Sequence, residues 1–201
     1  MTHFQKIYVV IVFIMTMILP ANAQNLTASQ MNIYFGSPKK VTVTNSQGTT
    51  MTEFDRKGRV TSTKQGNMSV TYQWSDDGTE VTLSMYQGAN FQDHGHINVI
   101  ENTPSRLKYD MGGILNMDIT FKKNKALDKV VMTNPQMSGT ITYIYNQESD
   151  IYPYSIEQTA GNQVVKASVT INETDSYGNP IVFTQELMGN KDITKQTIEY
   201  Y

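Results

Sequence analysis

Apolar and polar residues alternate with a period of two along most of the chain after residue 24. Lys40-Val41-Thr42-Val43-Thr44, Val70-Thr71-Tyr72-Gln73-Trp74 and Glu80-Val81-Thr82-Leu83-Ser84 are clear cases. Thr140 to Tyr145, Val164 to Ile171 and Thr197 to Tyr201 are others. Successive side chains of an extended strand point to opposite faces, and β-branched and aromatic residues suit that geometry, so each segment predicts a strand. Turn clusters separate them: Asn45-Ser46-Gln47-Gly48, Gln65-Gly66-Asn67, Asp77-Gly78, Gly112-Gly113, Gly161-Asn162 and Gly189-Asn190. They recur about every 8 to 15 residues, the rhythm of an all-β meander, barrel or sandwich. No segment shows a 3.6-residue stripe, although Lys122 to Val130 reads either as one helical turn or as a charged hairpin turn. The pattern predicts roughly ten to fourteen antiparallel strands in one all-β domain over residues 24–201. Thr, Gln and Asn at alternate positions fit one solvated face. Sequence leaves open whether the sheet stays flat, curls into a barrel or splits into a sandwich.

Several turns share a scheme. Phe54-Asp55-Arg56-Lys57-Gly58-Arg59-Val60 overlays Trp74-Ser75-Asp76-Asp77-Gly78-Thr79-Glu80-Val81, and the stretches from Tyr109 to Ile114 and from Asp175 to Ile181 follow it. Asp or Ser at the first turn position bonds back to the backbone, and Gly at the fourth takes positive φ. At these residues the chain resembles the YD (Rhs-type) repeats, with Phe54 to Val60 as the best match. The resemblance implies β-hairpin architecture; the chain is too short for the toxin-enclosing shells of large Rhs proteins. As a whole the chain is also similar to small exported Bacteroidetes proteins that carry such hairpins and end on an aromatic strand.

The first residues change the picture by assigning a compartment. Lys6 precedes an apolar run from Ile7 to Leu19, followed by Pro20 and the small-x-small site Ala21-Asn22-Ala23. These are the parts of a secretory signal peptide over residues 1–23. The run is shorter than the roughly 20 residues of a membrane-spanning helix. The chain has no cysteine. This excludes a lipidated N-terminal Cys, thiol catalysis and thiolate metal sites, and it fits a periplasmic or secreted bacterial protein that is not a lipoprotein. Whole-chain charge is 16 basic against 18 acidic side chains. Nothing in that balance offers the basic footprint that nucleic acid requires.

Candidate chemistry is sparse. Asp93-His94-Gly95-His96 holds the only histidines after residue 24. Two imidazoles two residues apart on a strand share a face and can meet one Zn²⁺ or Cu²⁺, with Asp93 or Glu101 as a carboxylate partner. Tyr143 and Tyr145, then Tyr152 and Tyr154, form two same-face aromatic pairs that could stack on a sugar or a partner chain, or simply pack within the sheet. Tyr72 and Trp74 share these two alternatives, and Trp74 reads as core. No nucleophile elbow, singled-out carboxylate pair or phosphate-cradling loop is present, so no cofactor is expected and the reading leans away from an enzyme. The leading expectation is an exported binding or interaction module for a protein, glycan or lipid ligand. One alternative is a carrier holding an apolar ligand in a curled sheet, lined by methionines such as Met85, Met111, Met117, Met132 and Met137. Another is a hydrolase or metal-binding protein using His94 and His96.

Overall fold

The structure is a computed structural model that describes residues 27–29, 32–103, 105–124, 126–133, 138–160 and 163–201. The expected signal peptide and Met137 lie outside the described residues. Two short strands, β1 (Thr27–Ser29) and β2 (Asn32–Tyr34), form a hairpin of their own. Fourteen strands follow: β3 (Pro38–Asn45), β4 (Gly48–Phe54), β5 (Val60–Gln65), β6 (Met68–Trp74), β7 (Glu80–Gln87), β8 (Asn90–Thr103) and β9 (Arg106–Asp110). The second half comprises β10 (Asn116–Phe121), β11 (Leu127–Thr133), β12 (Ser138–Ile144), β13 (Ser155–Ala160), β14 (Gln163–Thr174), β15 (Pro180–Leu187) and β16 (Asn190–Tyr200).

Each of these fourteen strands pairs antiparallel with its chain neighbour, and β16 pairs with β3, Ile198 lying opposite Val41. The sheet is therefore a closed barrel. Among the described residues there is no helix, and the ambiguous Lys122 stretch is a turn in which Lys122 N–H donates to the Ala126 carbonyl at 2.8 Å.

Register explains what each face carries. One row across β3 to β8 reads Lys40, Glu53, Ser62, Thr71, Ser84 and His94. The adjacent row reads Val41, Thr52, Thr63, Val70, Met85 and Asp93. On the other side of the barrel Arg106, Thr120, Lys129, Thr142, Glu157 and Lys166 form a polar row. Leu107, Ile119, Val130 and Ile141 lie in a neighbouring apolar row. Buried hydrophobic side chains concentrate in the Val41 and Leu107 rows, so these rows face the lumen, with Thr52, Thr63 and Asp93 as polar members, and the mainly polar rows face outward. Burying each Val, Leu or Ile stabilises the barrel by about 1.5–3 kcal/mol relative to exposure.

The recurrent turns share one geometry. Asp55 N–H donates to the Arg59 carbonyl (2.8 Å), Gly58 N–H returns to the Asp55 carbonyl (2.9 Å), and Asp55 Oδ1 accepts from the N–H groups of Lys57 and Arg59. Asp175 repeats this with Tyr177, Gly178 and Asn179. Ser75 stands in for Asp at the third such turn, its Oγ accepting from Glu80 N–H. Gly58, Gly78 and Gly178 have φ of +76°, +74° and +85°, a region that side chains with a Cβ rarely enter.

Candidate functional site

The two ends of the barrel differ. Because the strands run alternately up and down, one end gathers the chain entry at Phe35–Ser37, the turns after β4, β6 and β14, and the long 145–154 connection. This end is shut. Tyr34 is fully buried, its hydroxyl donating to Gln196 Oε1 (2.8 Å), while Gln196 Nε2 donates to the Pro180 carbonyl (2.6 Å). The Tyr34 ring meets Phe54 edge-on, with centroids 6.5 Å apart. Asn179, also fully buried, treats Phe35 as a neighbouring strand would. Its Oδ1 accepts from Phe35 N–H (2.6 Å) and its Nδ2 donates to the Phe35 carbonyl (2.9 Å) and to Tyr200 Oη (2.8 Å). Tyr200 Oη donates in turn to Asp175 Oδ2.

Burial alone would push the Asp175 carboxyl up, but hydrogen bonds from Tyr200 and Asn179 outweigh it and hold the group below the ordinary carboxylate range. A depressed carboxylate contributes stability above its unfolded value, about 4, and loses it as pH falls through the lowered value. Thermal unfolding followed from about pH 7 to about pH 3 is therefore expected to show a falling melting temperature. Asp175→Asn should start lower and converge with the parent at the acid end. Parallel curves would show that Asp175 does not couple to folding.

The other end carries the tight turns. Toward it, lumen-facing side chains lose their cover strand by strand. On β7, Val81 and Leu83 are buried, Met85 is half-buried and Gln87 exposed. On β6, Tyr72 and Val70 are buried but Met68 is 39% exposed. On β15 the series runs from buried Phe183 through half-buried Gln185 to Leu187 at 40%. Small barrels of about 8 strands fill their interior with side chains, whereas 16 to 18 strands leave a channel. Fourteen strands, packed with apolar side chains at mid-wall, are less covered at this end, where Met68, Met85 and Leu187 face the lumen together with Gln87, Asp93 and Gln185. Met85, Met117 and Met132 belong to the lumen-facing rows, and Met111 packs on the core from the turn after β9.

The sequence-derived candidates scatter. His94 and His96 do share a face: both stand exposed on the outer wall, opposite Ser84 and Thr82. Asp93 does not join them. Strand alternation places it in the lumen-facing row opposite Met85, and its Oδ1 accepts the His94 backbone N–H (2.8 Å). Among the described residues no three His, Asp or Glu side chains are gathered to hold a metal.

The four tyrosines form no common surface. Tyr143 is buried in the lumen, in register with Ile156, and the apolar parity of Ile141 and Tyr143 against Thr140 and Thr142 was the signal for that. Tyr145 donates its hydroxyl to the Leu127 carbonyl beneath the Lys122 ammonium, which sits 4.1 Å from the ring centroid. Tyr152 donates to the Gly178 carbonyl (3.1 Å), and Tyr154 is exposed. Tyr72 is buried in the core. Trp74 packs half-buried against the core, with its indole N–H on the Val60 carbonyl (2.8 Å). The residues that sequence reasoning missed are Asn179 and Tyr34, whose partners lie more than a hundred residues away.

No protein-family model and no curated protein matches the chain. Among solved structures the fold is similar to that of a porin-like protein from Bacteroides vulgatus ATCC 8482, at 13% sequence identity and a TM-score of 0.51. The match covers 83% of this chain and 99% of that one. At this identity the likeness shows a shared fold: an antiparallel all-β meander of fourteen strands closed into a barrel.

Proposed function

We propose that the protein is an exported carrier that holds an apolar ligand in the lumen of its barrel and exchanges it through the tight-turn end. The observation that carries this reading is a lumen packed with apolar side chains at mid-wall, sealed at one end and giving way at the other to less covered Met68, Met85 and Leu187 among Gln87, Asp93 and Gln185. Unbranched methionines adapt to irregular apolar shapes, which suits a lining that must close on a ligand. The outer wall argues for a water-soluble setting and against the membrane role of a porin. A membrane barrel turns an apolar band about 25 Å tall toward lipid, and each Lys or Arg at the bilayer midplane costs about 2–4 kcal/mol. Here Lys40, Arg106, Lys129 and Lys166 all sit in outward rows. Together with the expected signal peptide this supports a reading of the carrier as periplasmic or secreted.

A dansyl-labelled fatty acid tests the reading. The protein is expected to bind it saturably, with a blue-shifted emission. Met85→Glu/Leu187→Glu should bind at least about tenfold more weakly, since a buried charge must be desolvated against the probe. Emission unchanged on adding the parent protein would end the carrier reading. An interaction module remains the second reading because Met188, at the β15–β16 tip, is 82% exposed and holds a left-handed φ of +50°. An exposed, strained apolar residue there is better suited to a partner's surface than to water.

A further inference from the structure

Four ring side chains follow one another on the outer wall of the β7–β8 hairpin. Tyr86 meets Phe91 edge-on at 5.8 Å, Phe91 lies nearly parallel to His94 at 6.4 Å, and His94 meets His96 at 6.3 Å. We propose that His94 and His96 at the end of this row form a two-imidazole site for a copper-class divalent ion, with Cu²⁺ preferred over Ni²⁺ and Zn²⁺. The site lies outside the barrel and is independent of lumen binding.

Distance, orientation and surroundings support the assignment. Metal–nitrogen bonds of about 2.0–2.1 Å put an ion about 3.2 Å from each ring centre, so one ion reaches rings up to roughly 6.4 Å apart. The observed 6.3 Å lies within that reach, and small side-chain rotations bring the rings closer. Thr82 Oγ1 lies 3.4 Å from His96 Nδ1. With Nδ1 protonated toward that hydroxyl, the Nε2 lone pair is left for the metal, as outer hydrogen bonds commonly arrange for ligating histidines.

Directly opposite stand Ser84 and Thr82, so no Lys or Arg pairs across from either imidazole. The Phe91 ring flanks His94 and narrows the directions it can take. With Asp93 facing the lumen, no carboxylate of this motif joins the two rings, and water takes the remaining positions. That donor set of two nitrogens plus water suits the tetragonal geometry of Cu²⁺, which also heads the affinity order of divalent first-row metals.

The test is a calorimetric titration of tag-free protein with CuCl₂, joined to electron paramagnetic resonance of the copper-loaded sample. One saturable site with hyperfine structure from two nitrogens is expected. His94→Ala and His96→Ala should each weaken it at least tenfold, and the double variant should abolish it. Both side chains are exposed, so circular dichroism of the variants should match the parent. Copper bound equally by the parent and the double variant, as at a free amino terminus, would overturn the assignment. So would a single-nitrogen spectrum, or a single variant of undiminished affinity.

Discussion

Asn179→Ala is expected to lower the stability of the barrel by about 3 kcal/mol, a fall in melting temperature of roughly 6–12 °C for a chain of this length. The loss comes less from the bonds themselves than from what they leave behind. Asn179 is fully buried, and its amide satisfies both backbone groups of Phe35. Removing it leaves a part-buried N–H and a part-buried carbonyl of Phe35 without this partner, each loss costing about 1–3 kcal/mol. Asn179→Asp separates this account from simple packing. It keeps the volume and the acceptor for Phe35 N–H, but it loses the donor to the Phe35 carbonyl and to Tyr200 and sets a second carboxylate beside Asp175. It should be no more stable than the alanine variant near neutral pH. An Asp variant as stable as the parent would mean that the clasp on Phe35 contributes little.

Tyr34→Ala should cost about 3–5 kcal/mol, the usual range for deleting a large buried aromatic ring. The ring fills the sealed end between Phe54 and Gln196, so its loss leaves a cavity together with an amide deprived of its hydroxyl partner. Tyr34→Phe keeps the ring and should cost about 1 kcal/mol. Denaturant unfolding of the three proteins measures both steps, and a small effect of the alanine change would place the seal elsewhere. The carrier reading adds a second readout. Emptying this end should loosen ligand retention without touching the residues at the exchange end.

Much of the wall was legible in the sequence. The alternating segments at Lys40, Val70, Glu80, Thr140, Val164 and Thr197 all lie in strands, because a half-buried strand writes its two faces as a period of two. The Asp-x-x-Gly turns were legible too, since Asp55 Oδ1 and Asp175 Oδ1 accept from N–H groups of their own loops to make them. Closure was not. It depends on β16 meeting β3, a pairing between residues remote in sequence that local periodicity does not encode. The placement of the candidate residues follows the same alternation. His94 and His96 share a face because they stand two positions apart, whereas Asp93, one position from His94, had to face the lumen. Tyr143 packs in the lumen, the within-sheet alternative that its parity with Ile141 allowed. Asn179 resembled an ordinary turn residue, and only the fold brings Phe35 to it.

The seam between β3 and β16 also sets an order of events in time. Lys40 and Glu199 pair across it at 2.8 Å although 159 residues separate them. Joining such distant segments carries a loop-closure cost that local hairpins avoid, so the hairpins can form early and the ring last. Until β16 arrives, β3 and its partner-to-be are open strand edges, exposed to pairing with other chains. A chain of this topology should therefore fold slowly and late. That delay makes the interval before ring closure the period of greatest risk of aggregation.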